Sequence, residues 1–167
     1  SGPVGGNTSV ILTLGSGLVN SGELLLRFGH EGSEVVTGSY GSESSLRCVS
    51  ASTVAEGVGV RILYVAVNGQ QFMSVGADNF QYYDASFALS KLGPHSGPVN
   101  GATHIMLRLG IAFIDSGEYL VRFGDEGCEV VVGTFISNTS LSCMSPSTST
   151  ELVRQRTFYV ALNGQQY

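Results

Sequence analysis

Few side chains in this 167-residue sequence are of types that do chemistry, and their spacing argues against catalysis. The histidines are His30, His95 and His104. A general base or a metal ligand needs partners held at fixed spacing, and none of the three has them. Gly57-x-Gly59 lacks the third glycine and the strand-to-helix setting of a dinucleotide loop. The loops Glu31-Gly32-x-Glu34 and Asp125-Glu126-Gly127-x-Glu129 gather carboxylates that suit weak calcium binding. Neither has EF-hand spacing, and a solvated acidic loop is the better reading. No catalytic, cofactor-binding or metal residue is therefore expected. Covalent modification fits better. Asn7-Thr8-Ser9 and Asn138-Thr139-Ser140 are N-glycosylation sequons, with Asn7 and Asn138 as acceptors. In Ser145-Pro146-Ser147-Thr148-Ser149-Thr150, the hydroxyls of Ser147, Thr148, Ser149 and Thr150 are O-glycan candidates; an unmodified loop is equally consistent.

Composition narrows the partners. Lys and Arg total 8 against 13 Asp and Glu, for a net charge of −5. A nucleic-acid binder needs a basic face to displace counterions, and eight scattered cations supply none. The same deficit argues against docking on an anionic membrane. No apolar run approaches the roughly 20 residues that span a bilayer, so no membrane insertion is expected here. Seven of the cations are Arg, and Lys91 is the only lysine, while Ser and Thr together number 32. A surface solvated by hydroxyls and glycines suits glycan cover or close packing against neighbours. Lineage bias in composition is the competing explanation.

The elements that carry these residues repeat. Ser1-Gly2-Pro3-Val4 returns as Ser96-Gly97-Pro98-Val99, Arg27-Phe28-Gly29 as Arg122-Phe123-Gly124, and Asn68-Gly69-Gln70-Gln71 as Asn163-Gly164-Gln165-Gln166. The offset is 95 throughout, without a gap, and 39 of the 72 aligned positions are identical. Copies this similar perform one physical role twice. The second stops at Tyr167, opposite Phe72, so the equivalents of residues 73–95, a last strand and a linker, are not in it. The chain then reads as a window on a longer array. Alternatively, another chain donates the last strand to the second copy.

Each period reads as all-β, with β-branched and aromatic runs separated by Gly, Ser and Asn turns. Strands are expected at 9–14, 23–28, 34–39, 45–49, 60–67 and 77–84, and Asn68-Gly69 signals a type I′ hairpin. The period suits an immunoglobulin-like sandwich of about 100 residues. Alternation turns Leu24, Leu26, Phe28, Leu63, Val65 and Val67 inward, together with Tyr119, Val121, Phe123, Phe158, Val160 and Leu162. It turns Arg27 and Arg122 outward. It also leaves Ile11, Leu25, Met106 and Leu120 facing out at matched positions, as candidates for an apolar contact face.

These motifs, in this order, resemble the IPT/TIG domain family, the immunoglobulin-like fold shared by plexins and transcription factors. The resemblance rests on Gly2-Pro3 leading to Gly6-x-Thr8, and Gly97-Pro98 leading to Gly101-x-Thr103. It continues through Arg122-Phe123-Gly124, Cys128, Cys143-x-Ser145-Pro146, Asn163-Gly164-Gln165-Gln166 and Phe80-x-Tyr82. A filamin-type repeat has a similar period and is the alternative fold. The resemblance implies two tandem sandwiches joined by a short linker: residues 1–92, and residues 93–167 without a final strand. It also implies a disulfide between Cys128 and Cys143, worth roughly 3 kcal/mol and an oxidising compartment; two reduced, buried cysteines are the alternative. Cys48, the equivalent of Cys143, has no partner, since Ser33 stands at the position of Cys128.

The expected role is a non-catalytic structural repeat of an extracellular or cell-surface protein. It would be part of a rod, filament or ciliary or flagellar appendage, assembled with copies of itself or neighbouring repeats and carrying glycans. A ligand-binding ectodomain of an adhesion or signalling receptor is the second reading. An accessory domain of a secreted enzyme is the third.

Overall fold

The alternating runs fold as strands in a computed structural model, which describes residues 1–148 and 155–167. One compact unit, Ser1–Asp84, holds β1 (Gly2–Pro3), β2 (Ser9–Thr13), β3 (Leu25–Phe28), β4 (Val35–Thr37), β5 (Ser39–Ser42), β6 (Ser45–Val49), β7 (Gly59–Ala66) and β8 (Met73–Tyr83). The second, Ala85–Tyr167, holds β9 (Leu89–Gly93), β10 (His104–Leu109), β11 (Tyr119–Phe123), β12 (Val130–Ser137), β13 (Ser140–Met144) and β14 (Phe158–Ala161). No helix occurs among the described residues. The architecture is all-β and immunoglobulin-like.

In unit 1 the sheets are β1-β8-β7-β3-β4 and β2-β6-β5. All pairings are antiparallel except β1 with β8, where Gly2 sits opposite Tyr82 and Pro3 opposite Tyr83. The inward rows meet as the alternation predicts. Leu24, Leu26, Phe28, Leu63 and Val65 pack with Leu46, Cys48, Phe80 and Tyr82 in one core, with Val67 half-buried against it. Burial of a large apolar side chain contributes about 1.5–3 kcal/mol, so β8, through Phe80 and Tyr82, carries much of this unit's margin.

Unit 2 uses the same strands with one difference. Its sheet order is β14-β11-β12-β13-β10-β9, because β12 runs unbroken from β11 to β13 where unit 1 has β4 and β5. The crossing point is Gly38 in one unit and Gly133 in the other. A side chain at Gly38 would begin 2.6 Å from Leu26 Cδ1, and one at Gly133 3.0 Å from Tyr119 Cβ. The crossing strand thus passes close to the core at a glycine in both units. Tyr119 replaces Leu24, standing edge-on to Phe113 and stacked on Phe135. Its hydroxyl donates to Ile114 O at 2.8 Å, which makes a phenol tolerable in the core.

Two expectations give way. Leu89–Gly93, expected within the linker, forms β9, antiparallel to β10 with Leu107 opposite Leu92. The exposed backbone edge of β10 recruits it, and the compact units meet at Asp84 and Ala85. The Asn-Gly motif joins β7 to β8 but not through a type I′ turn. Gly69 has positive φ (72°), while Asn68 is outside the left-handed region. Instead Asn68 Oδ1 accepts from the amides of Gln70 and Gln71 at 3.1 and 3.0 Å, an Asx turn that lengthens the loop. Asn163 repeats it with Gln165 and Gln166.

Candidate functional site

The outward arginines are held rather than free. The Arg27 guanidinium lies 5.0 Å from the Tyr64 ring centre and 4.5 Å from that of Phe72. Arg122 lies 4.6 Å from Tyr159 and 4.4 Å from Tyr167, and its Nε donates to Gly124 O at 3.2 Å. Cross-strand register explains the first ring of each pair, since Arg27 faces Tyr64 and Arg122 faces Tyr159. The loop after the Asn-Gly motif brings the second. Each unit thus carries a cation between two rings on its outer sheet face. Parity alone gave the direction of these arginines and missed their partners; an aromatic at positions 64 and 72 and again at 159 and 167 was the available signal.

The second feature distinguishes the units. In unit 1 the Phe80 ring stands 5.2 Å from Phe28, and the Tyr82 ring 4.9 Å from Phe80, all edge-on. Tyr82 OH donates to Ala51 O at 3.0 Å. Burial pushes the Tyr82 phenol well above its ordinary range, with hydrogen bonding to Ser50 and the charge of Arg61 opposing. In unit 2 no strand among the described residues stands where β8 stands in unit 1. A groove of ≈ 770 Å³ opens there, lined by Thr103, Ile105, Phe123, Pro146, Arg156 and Phe158. These are the equivalents of Thr8, Val10, Phe28, Ala51, Arg61 and Leu63. Phe158 is only half-buried, and its ring stands 4.7 Å from Phe123.

The IPT/TIG family model matches residues 88–165. The second unit is an IPT/TIG domain. Unit 1 is identical to it at 39 of 72 aligned positions. Two solved structures of the plexin A4 full extracellular region share the fold. One, covering domains 1 to 10, has a TM-score of 0.65 at 20% identity over 98% of this chain. The other, with domains 1 to 8, has a TM-score of 0.61 at 16% identity over 97%. The chain spans 14% and 16% of the length of those structures. Among curated proteins, none matches this sequence.

In the two units the cysteines fall at two depths. Cys48 on β6 and Cys143 on β13 are buried, and Cys128, in the turn after β11, is half-buried. All three are free thiols here, so the expected Cys128–Cys143 bridge is not formed. Cys128 Sγ instead lies 2.8 Å from where a Gly124 side chain would begin, turned against the positive-φ glycine that closes the β11 turn. Burial pushes the Cys48 and Cys143 thiols up to about 11.

The sequons sit in different surroundings. Asn138 is exposed at the turn between β12 and β13, where its carbonyl accepts from the Phe113 amide at 2.8 Å. Asn7 is also exposed, but it has φ 63° and donates its amide to Ser50 O at 3.0 Å. Ala102, its equivalent, has φ 60°, so the loop requires the left-handed region and asparagine suits it on conformational grounds alone. Ser147 is exposed, and Thr148 is half-buried with its hydroxyl on Val99 O at 3.3 Å. Ser149 and Thr150 lie outside the described residues.

Of the apolar candidates, Ile11 is 60% exposed and Met106 38%, while Leu25 and Leu120 are half-buried opposite Ala66 and Ala161. His30 Nδ1 is 3.0 Å from Ser33 Oγ, a local contact within one turn. Among the described residues no group of three or more His, Cys, Asp or Glu is placed to hold a metal ion. No helix among them is long and apolar enough to cross a membrane.

Proposed function

We propose that this chain is a non-catalytic segment of an extracellular or cell-surface protein, with its tandem IPT/TIG-type sandwiches serving as spacer and docking platform. The observation that carries the reading is the IPT/TIG match at residues 88–165, together with a shared fold over 98% of the chain with the plexin A4 extracellular region. The hydroxyl-rich surface and the exposed sequon at Asn138 support it. In that setting Asn138 carries a glycan. A receptor-type ectodomain is the narrower form favoured by the plexin likeness. A rod or filament of tandem glycosylated units is the second form, favoured by the repeated outward apolar positions Ile11 and Met106.

Labelling of intact cells tests the proposal. An antibody to this segment stains unpermeabilised cells, and surface trypsin removes the signal. Staining only after permeabilisation contradicts it. Endoglycosidase treatment of native material lowers its mass, and Asn138→Gln abolishes that change; an unchanged wild-type mass removes the glycan.

A further inference from the structure

We propose that the ring-clamped arginines Arg27 and Arg122 are the centres of two equivalent docking sites, one on the outer sheet face of each unit. The occupant is a partner protein that presents an Asp or Glu side chain among apolar residues. The inference names the docking face of the platform proposed above and rests on that reading. Each guanidinium is held before any ligand arrives, between two rings whose centres lie 4.4–5.0 Å away. Phe72, in mid-chain, does in unit 1 what Tyr167 does in unit 2, so the clamp belongs to the repeat. The charge it holds is unanswered. Arg27 Nε is buried without a hydrogen-bond partner, and Arg122 Nε is taken up by Gly124 O within its own turn. Among the described residues no carboxylate stands within ion-pair distance of either arginine. Arg61 on β7 shows the contrast, with Glu56 Oε2 3.2 Å from its Nε. Asp125 reaches the Tyr159 hydroxyl, at 3.4 Å, and not the guanidinium. The terminal N–H groups of each fork are left for an incoming acceptor.

The surroundings select the ligand by charge and by polarity. In unit 1 Arg27 faces Val35 on β4 and Tyr64 on β7, and Tyr64 shares its face of β7 with Val60 and Ile62. Val35, Val60 and Ile62 are all exposed. In unit 2 Arg122 faces the exposed Val130 and Tyr159, and its strand neighbour Leu120 faces Val132, which is 73% exposed. Each site is thus one fixed cation in an apolar field. Its complement is a single carboxylate bordered by apolar side chains. A planar fork that is already immobilised loses little further freedom when it takes a carboxylate through two hydrogen bonds. Arginine and tyrosine surrounded by groups that exclude water are the common anchors of protein interfaces. A polyanion would need a row of cations, and each face offers one among the described residues.

The test selects phage-displayed random peptides on the whole 167-residue chain, then measures the enriched ones, synthesised and labelled, by anisotropy and calorimetry. Binding is read on purified chain, so it can fail while the surface staining holds, and hold while the staining fails. Enriched peptides should share an Asp or Glu bordered by apolar residues and should bind two to a chain. Changing that carboxylate to its amide should weaken binding about tenfold or more. Arg27→Lys combined with Arg122→Lys should do the same, since it keeps the charges and loses the forks. Val132→Glu alters a side chain that the core does not use and should remove one of the two sites. No enrichment, enriched peptides without a carboxylate, binding unmoved by these variants, or equal displacement by a heparin oligosaccharide overturns the proposal. Self-association of the chain that the peptide competes away also overturns it, by making a second copy the occupant.

Discussion

The Tyr82 hydroxyl donates to the Ala51 carbonyl at 3.0 Å, fastening the last strand of unit 1 to the loop that follows β6. Pro146 occupies the Ala51 position in unit 2, where no described residue supplies the phenol. Tyr82→Phe leaves a buried carbonyl without its donor and should cost about 1–2 kcal/mol. Tyr82→Ala also empties the aromatic cluster and should cost about 3–5 kcal/mol. Urea unfolding followed by residue-resolved NMR should show the loss in unit 1 signals, with those of unit 2 unmoved.

The arginine held between rings predicts a smaller, matched effect in the two units. Each cation–π face contributes about 0.5–1 kcal/mol at an exposed site. Arg27→Ala and Arg122→Ala should therefore each destabilise their own unit by about 1–2 kcal/mol. Lysine should restore only part, because it lacks the planar group that stacks on two faces. Denaturation midpoints of the four variants check this.

Ala102 holds φ 60°, a conformation that costs an L-residue roughly 1–2 kcal/mol. Ala102→Gly should raise the stability of unit 2 by about 0.5–1 kcal/mol, the relief being reduced by the freedom glycine gains in the unfolded chain. Asn7→Ala should do the reverse in unit 1. Melting temperatures of the two variants give the signs directly.

Much of this was legible in the sequence. The 95-residue repeat displayed the parity of each strand twice, so Leu26, Phe28, Val121 and Phe123 were assignable to the core. What failed to show was non-local. Leu89–Gly93 lacks a clean alternation, and only the free edge of β10 makes it a strand. The start of β8 was hidden by Gly76, whose positive φ of 98° looks like a turn in sequence. Gly38 and Gly133 gave no hint that one strand breaks where its copy runs through.

Buried acids set the response to alkali. The folded state holds the Cys48 and Cys143 thiols up at about 11 and the Tyr83 phenol at about 12, all through burial. The unfolded chain releases those protons near 9 for the thiols and near 10 for the phenol. Their contribution is therefore complete below pH 9 and is lost progressively as pH rises through 9 to 12. Unfolding free energy measured from pH 8 to 11 should fall monotonically above 9. Replacing Cys48 and Cys143 with alanine should flatten the first part of that fall.

The central claim is that one sandwich fold occurs twice and that β8 closes the first copy against β7. Amide exchange on the dilute 167-residue chain tests it directly. The amides of β7 that face β8 should be strongly protected, and their β14 counterparts that do not bond to β11 should exchange at least about tenfold faster, as an unpaired edge does. Equal protection of the two strands in the isolated chain would contradict the claim.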